Sequence, residues 1–239
     1  MHTVKIYKYG ILGLLTAALG ISCTKSFDEK LNQQKNFNVS TIAQLHIPMV
    51  GATGNTLVVD AVPVSGAAMI TGAVFPSSGY GFSLTPGIRA FLVSGTAPQV
   101  PITFAENMLP GKHHTIFIYD TITSPKQKTV IDNIVIPSDT TSRLRFANFV
   151  YSPYMIPNVD VFSWKANANL WANIPVTGVT DFVVYPSRIT DTLYIRETGT
   201  MNQILKLTII GGVTPKRNYT LSFRGSYSGT RTTSLFANY

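Results

Sequence analysis

The stretches Leu193-Tyr194-Ile195-Arg196 and Leu205-Lys206-Leu207-Thr208-Ile209 decide the fold of this chain. In both, apolar and polar side chains alternate with a period of two, which is typical of a strand with one buried and one polar face. The stretch 44–49 (QLHIPM) alternates in the same way and places Gln44 and His46 on its polar face. We therefore predict antiparallel strands whose apolar faces pack on one another.

The composition also favours strands. Only 13% of the residues are charged, Val, Ile, Thr, Tyr and Phe are frequent, and 18 Gly and 14 Pro residues interrupt the chain throughout. No segment of convincing length shows the period of a helix, so we predict an all-β protein. In the first half the predicted strands are 44–49, 56–64, 69–75, 80–84, 88–93, 100–104, 115–119 and 129–136.

The order of these motifs is repeated in the second half at a spacing of roughly 100 residues. Residues 45–47 align with 144–146, and residues 58–62 align with 158–162, which places Asp60 opposite Asp160. Each repeat has a size at which a sandwich buries an adequate core without disulfides. We predict two tandem β-sandwich domains, 41–137 and 143–239, joined by a short polar linker.

Several short motifs of this chain resemble the domain-of-unknown-function family 4397. They are the strand RLRFAN (143–148), the Ser152-Pro153 loop, the strand Val159-Asp160-Val161 and the strand GKHHTIF (111–117). Members of that family are lipoproteins with tandem immunoglobulin-like halves, and the resemblance covers nearly the whole mature chain. It implies immunoglobulin-like sandwiches in a bacterial cell envelope, and it implies no activity.

The N-terminus predicts a lipoprotein signal peptide over residues 1–22. Lys5 and Lys8 precede an apolar run that is shorter than the about 20 residues of a spanning helix. The run ends in LGISC (19–23), which resembles a lipobox, and Cys23 is the only cysteine. We predict a diacylglycerol and a fatty acid such as palmitate on Cys23, followed by a polar tether over 23–40. Plain secretion and an uncleaved anchor are the alternatives.

This anchor predicts an outer membrane lipoprotein on the periplasmic or the cell-surface face. Because Cys23 is the only cysteine and its thiol would carry the lipid, a disulfide, a cysteine nucleophile and a cysteine metal cluster are excluded. The charge surplus of the chain, +8, is scattered rather than clustered, which argues against nucleic acid as a partner. It is compatible with anionic glycans.

The titratable residues predict neither catalysis nor a metal or cofactor. His113 and His114 are adjacent on a predicted strand and must point to opposite faces, so we expect one to be packed and one to be solvated. Glycoside hydrolysis needs two carboxyl groups that flank the glycosidic bond. Only one aspartate recurs at corresponding positions of the two halves, so the repeat does not supply such a pair. We expect Asp60 and Asp160 to occupy the same place in both halves and to bind nearby backbone.

Aromatic residues are the remaining candidates for binding, because sugar rings stack on exposed aromatic faces. The second half concentrates Tyr151, Tyr154, Trp164 and Trp171, and the first half has no tryptophan. A functional site added to one copy of a repeated scaffold leaves such an asymmetry. Packing within a sandwich core is the alternative for both tryptophans.

The function that these features predict is that of a non-catalytic surface binding or adhesion module, with glycan capture as its specific form. The alternative is a structural or assembly subunit of an envelope complex that presents an edge strand to a protein partner. In both cases the lipid ties the protein to a membrane.

Overall fold

The computed structural model describes residues 40–209 and 213–239, and every regular element in these ranges is a β-strand. The all-β prediction is therefore confirmed. The predicted signal peptide, Cys23 and all of the predicted tether except Ser40 lie outside the described residues. Within the described ranges, none of the structure is a helix with the length and apolarity needed to cross a membrane.

The first half contains nine strands. They are β1 (Thr41–His46), β2 (Thr56–Val59), β3 (Val62–Pro63), β4 (Val74–Phe75), β5 (Phe82–Leu84), β6 (Gly87–Ser94), β7 (Ile102–Met108), β8 (His113–Thr121) and β9 (Ser124–Asp132). The strand β9 starts earlier than predicted, in the polar run 124–128. It is an outermost strand of its sheet and is hydrogen-bonded only to β8. Polar and charged residues are common on such edge strands, so this segment lacks the apolar alternation from which strands were predicted.

The described part of the second half contains eight strands. They are β10 (Ser142–Asn148), β11 (Val159–Ser163), β12 (Ala168–Ile174), β13 (Val183–Tyr185), β14 (Asp191–Glu197), β15 (Gln203–Ile209), β16 (Asn218–Gly225) and β17 (Arg231–Ala237).

Each half is a sandwich of two sheets around its own apolar core. The first half has the orders β4-β1-β8-β9 and β3-β2-β6-β7, with β5 also paired to β1. The second half has the orders β13-β10-β16-β17 and β12-β11-β14-β15. The two sets of orders correspond strand for strand, so the predicted repeat of architecture is present. Leu45, Leu57 and Phe91 lie in the first core, and Phe146, Val161 and Ile195 lie in the second.

One pair of strands in each half departs from the predicted antiparallel arrangement. The strand β1 runs parallel to β8, and β10 runs parallel to β16. These parallel pairs also fix the register of the repeat, because Ile42 opposes the first residue of β8 and Arg143 opposes the first residue of β16. Leu45 is therefore equivalent to Phe146, two positions away from the alignment that the sequence suggested.

In the two inner sheets, the central strands β1 and β10 are buried on both faces. A third apolar cluster of Phe117, Ala147, Phe149 and Phe236 joins the two halves. Gln44 and His46, predicted on a polar face, are 1% and 0% exposed, because that face of β1 is covered by the second half. The contacts make Thr41–Tyr239 one compact unit. The domain limits 41–137 and 143–239 stay a prediction.

Candidate functional site

The outer sheet of the second half, β12-β11-β14-β15, carries a row of large side chains on its free face. Along β11 and β14, buried residues such as Val161 and Ile195 alternate with outward residues, as the sequence pattern predicts. We use the name "aromatic face" for one set of outward side chains, which is Phe162, Trp164, Tyr194, Arg196 and Lys206.

The rings of the aromatic face lie within contact range of one another. Phe162 and Tyr194 are cross-strand partners whose ring centroids are 6.5 Å apart, and the Trp164 ring is 6.4 Å from that of Tyr194. Trp164 is 67% exposed, whereas Phe162 and Tyr194 are half-buried at the centre of the sheet. The three rings form a continuous surface that is open to solvent.

Two cations lie against these rings. The Arg196 guanidinium carbon is 4.0 Å from the Phe162 ring centroid and 5.4 Å from that of Tyr194. The Lys206 ammonium nitrogen is 6.0 Å from the Tyr194 centroid. Cation–π contacts of this kind contribute about 0.5–1 kcal/mol each at exposed sites. They hold the rings and the cations in one fixed group.

A cavity of about 370 Å³ opens at one end of the aromatic face. Its lining residues are Asp160, Phe162, Asn169, Arg196, Gly199, Thr200 and Met201. The β14–β15 turn forms one wall, and Gly199 there has a φ of +72°, a conformation that glycine adopts without strain. The cavity adds polar groups beside the rings.

Asp160 fixes the turn that walls the cavity. Its carboxylate accepts hydrogen bonds from the Asn173 N–H at 2.7 Å, the Thr198 hydroxyl at 2.9 Å and the Gly199 N–H at 3.1 Å. Burial favours the neutral acid, but these donors outweigh burial and hold the pKa of Asp160 below its ordinary value. Asp160 therefore acts as an ionised anchor for the loop.

Asp60 is not the counterpart of Asp160, which corrects the expectation from the repeat. Asp60 follows the end of β2 in a left-handed conformation, with a φ of 49°, whereas Asp160 lies near the start of β11. The expected bonds to backbone are confirmed, because Asp60 accepts one from the Ala90 N–H at 2.9 Å. Asp60 also pairs with Arg89 at 3.0 Å.

A second buried aspartate fixes the turn that carries Trp164. Asp191 accepts hydrogen bonds from the Ser163 hydroxyl at 2.6 Å, the Lys165 N–H at 2.9 Å and the Tyr185 hydroxyl at 2.9 Å. Both ends of the aromatic face are therefore held by a carboxylate from the same sandwich. Hydrogen bonds of this kind, made by residues behind a surface, keep the side chains of a binding surface in fixed positions.

The four aromatic residues predicted from the sequence do not form one group. Trp171 is 8% exposed and packs in the second core beside Phe146. Tyr154 is 81% exposed in the loop after β10, and Tyr151 is half-buried and bridged to Ser226. Of the four, only Trp164 belongs to the aromatic face. A ligand role for Tyr151 and Tyr154 stays a prediction.

Phe162 and Tyr194 are site residues that the sequence analysis missed. Their signal was present, because both are large aromatics at outward positions of alternating strands. The pattern could not show that β11 and β14 are adjacent, and this pairing is what brings Phe162 beside Tyr194.

The equivalent outer face of the first half carries no aromatic ring. Its central row is Val58, Leu92 and Thr103, and the neighbouring positions are Ala90 and Ala105. Aromatic residues of this sheet, such as Phe91, lie on the opposite face, toward the core. The two halves therefore share an architecture but differ in the chemistry of their free faces.

The histidines differ from the prediction of one packed and one solvated ring. His114 points into the first half, bonded to the Thr41 hydroxyl at 3.1 Å. His113 is not solvated: its ring nitrogens face Asp132 at 2.8 Å and the Tyr80 carbonyl at 2.6 Å. No group of three or more metal-ligating side chains occurs in the described ranges.

The chain is similar to the carbohydrate-binding module of family 26 from Eubacterium rectale Amy13K, solved in complex with maltoheptaose. The two are 10% identical, the alignment covers 80% of this chain and 95% of that chain, and the TM-score is 0.26. A similarity at that TM-score carries no argument about this chain. No protein-family model and no curated protein matches it.

Proposed function

We propose that this protein is a non-catalytic binding module that captures glycans on the aromatic face. The observation that carries the proposal is the open row of Phe162, Trp164 and Tyr194, with Trp164 67% exposed. Sugar rings have apolar C–H faces that stack on aromatic rings, and stacked aromatics bury large areas at low entropy cost. Contiguous apolar surface that is exposed to solvent marks interaction sites on proteins.

Polar groups around the rings complete a site for hydroxyl-rich ligands. Asn169, Phe162, Tyr194 and Lys206 form one row across four strands, which spans about 14 Å at the usual strand spacing. Thr192 lies next to this row, opposite Thr208. A few placed polar groups around an apolar surface give a ligand its orientation.

The first experiment measures glycan binding by the purified protein and its variants. We expect Trp164→Ala and Tyr194→Ala each to weaken binding to the glycans that the wild type retains on an array by at least tenfold, or about 1.4 kcal/mol. Ile88→Ala is the control, because Ile88 is 75% exposed but lies in the first half, outside the aromatic face. Its affinity should equal that of the wild type.

The melting temperature separates binding from folding. Trp164 is largely exposed, so Trp164→Ala should change stability by less than about 0.5 kcal/mol. Retention of glycans by both variants at wild-type affinity contradicts the proposal. Capture of an envelope protein in place of a glycan supports the alternative of an assembly subunit.

The edge strand β9 gives little support to that alternative. The outermost strand β9 carries Pro125, Lys126 and Lys128, and residues of these types protect an edge from pairing with another chain. Lys128 also donates a hydrogen bond to the Thr177 carbonyl of the second half at 2.7 Å. A partner strand would have to displace this contact.

The proposal also places the module at the outer membrane, held by lipid on Cys23. Two or three acyl chains give stable attachment, because each buried methylene contributes about 0.8 kcal/mol. We expect the wild type to sediment with membranes and Cys23→Ser to remain in the soluble fraction. Ser26→Ala, which keeps the thiol, is the control.

Mass analysis of the mature N-terminus checks the same prediction independently. The expected product starts at Cys23 and carries the added mass of the acyl chains. A Cys23→Ser variant that stays fully membrane-bound, or a wild type without lipid, contradicts the anchor. Neither result bears on the glycan site.

A further inference from the structure

We infer that the aromatic face binds acidic glycans, with carboxylate or sulfate groups of the sugars held by Arg196 and Lys206. This inference rests on the proposed function and narrows it to one class of ligand. It depends on the position of the two cations, on the carboxylates around them and on the free donors of the guanidinium.

Arg196 and Lys206 flank one ring. The Tyr194 centroid lies 5.4 Å from the Arg196 guanidinium carbon and 6.0 Å from the Lys206 ammonium nitrogen. The two residues come from neighbouring strands, β14 and β15, on the same face of the sheet. A sugar stacked on Tyr194 therefore lies between two positive charges.

Neither cation forms an ion pair with another residue that the structure describes. The ion pairs of the described residues involve Arg89, Lys126, Arg145 and His113, but not Arg196 or Lys206. Here the positive charge stays open toward the side on which a ligand would stack.

The carboxylates of Asp160 and Glu197, the acids next to Arg196, accept hydrogen bonds from other residues. Asp160 is the cross-strand partner of Arg196, but its oxygens accept four hydrogen bonds, the fourth from the Asn169 amide at 3.4 Å. Glu197, the residue after Arg196, accepts a hydrogen bond from the Tyr227 hydroxyl at 2.7 Å. Both acids stay ionised, but they are bonded to the turn at Gly199 and to Tyr227, whereas the charges that lie against the Tyr194 ring are the two cations.

The guanidinium of Arg196 keeps its donors available. It lies over the Phe162 ring at 4.0 Å, and its one hydrogen bond within the described residues goes to the Met201 sulfur at 3.5 Å. A guanidinium in contact with a ring still presents planar N–H donors at its edge, and two of them match a carboxylate or sulfate. Phe162 thus positions Arg196 to donate two hydrogen bonds to a carboxylate or sulfate.

The test is titration calorimetry of the purified protein with three probes. These are heptagalacturonate for carboxylate, a carrageenan-derived oligosaccharide, which has sulfate but no carboxylate, for sulfate, and maltoheptaose as a neutral heptasaccharide. We expect at least one acidic probe to bind tenfold or more tightly than maltoheptaose at low salt, and to weaken as salt rises. The two acidic probes distinguish the source of the anion.

Charge variants assign the effect to the two cations. Arg196→Gln and Lys206→Gln should each weaken binding of the acidic probe at least threefold, and together at least tenfold, and each should weaken binding of maltoheptaose by a smaller factor. Lys216→Gln removes an exposed charge outside the aromatic face and should leave both affinities unchanged. Arg196→Lys should recover part of the lost affinity. If Arg196→Gln lowers the melting temperature, Lys206→Gln carries the test.

Failure of this inference differs from failure of the proposed function. Equal binding of acidic and neutral probes, with no response to Arg196→Gln or Lys206→Gln, overturns the acidic specificity and leaves glycan capture intact. Equal weakening of all probes by the charge variants also overturns it, because the cations would then only support the rings. Absence of binding by every glycan overturns both.

Discussion

Asp132→Ala should lower the free energy of unfolding by about 3–5 kcal/mol, because it leaves a buried arginine without its counter-ion. The Asp132 and Arg145 side chains are 0% and 2% exposed, and Arg145 Nη1 donates to Asp132 Oδ1 at 2.6 Å. Asp132 comes from the first half and Arg145 from the second. Their pair lies in the contact between the halves.

Hydrogen bonds from both halves complete this pair. Arg145 also donates to the Thr115 hydroxyl at 2.9 Å and to the Thr220 hydroxyl at 2.8 Å. Burial favours the neutral acid, but Arg145 and then His113 outweigh burial and keep the pKa of Asp132 below its ordinary value. Removal of one member therefore disturbs a satisfied network, which is more costly than loss of a single bond.

Urea unfolding followed by tryptophan fluorescence measures the effect, since Trp171 lies in the second core. Asp181→Ala removes an exposed carboxylate and should change stability by less than about 0.5 kcal/mol. Asp132→Leu combined with Arg145→Met should be more stable than Asp132→Ala, because no charge remains buried. A loss below about 1 kcal/mol for Asp132→Ala contradicts the role assigned to the pair.

Lowering the pH from 7.5 to 5 should reduce the free energy of unfolding by about 2 kcal/mol through His46 alone. His46 is 0% exposed between Phe117 and Phe236, and its Nδ1 donates to the Ala73 carbonyl at 3.0 Å. Burial lowers the pKa of His46 to about 3; the Ala73 carbonyl partly opposes this shift, and the nearby positive charge of Arg224 adds to it. The folded protein therefore keeps His46 neutral.

The sign follows from proton binding by the unfolded chain. Unfolded His46 takes up a proton below about pH 6.5, whereas the folded protein does so only near pH 3, so acid favours unfolding between these values. Each pH unit in this window costs about 1.4 kcal/mol. The stabilisation is fully present above pH 6.5.

Urea unfolding of wild type and His46→Gln at pH 7.5, 6 and 5 checks this prediction. The variant should lose most of the dependence on pH, and the remainder belongs in part to His114, whose pKa is also lowered by burial. His114→Gln is the control that measures how much of the pH dependence of the unfolding free energy comes from His114. The lowered pKa values of Asp132 and Asp160 act at lower pH, below the ordinary aspartate range. An equal slope in wild type and His46→Gln contradicts the prediction.

The site could be predicted only in part. Trp164 was identified as a candidate because it is a tryptophan in one copy of a repeat, and the structure places it on an open face. Trp171 carries the same sequence signal but packs in the core. Phe162 and Tyr194 become neighbours only because β11 pairs with β14.

The sequence by itself determined most of the strands, the repeat of architecture and which side chains share a face of each strand. All of these depend on neighbours along the chain, through the period of two. The stretches around His46 and Tyr194 show the same alternation, and the sequence predicts a polar outer face for both.

Only the tertiary structure decided that the first of these faces is buried and the second is exposed to solvent. The face of His46 is covered by Phe236 and the rest of the second half, whereas the face of Tyr194 stays open. Burial depends on what packs against a strand from far along the chain, and a local period contains no information about that packing. For this reason the buried Asp132–Arg145 pair and the aromatic face both emerge from the fold.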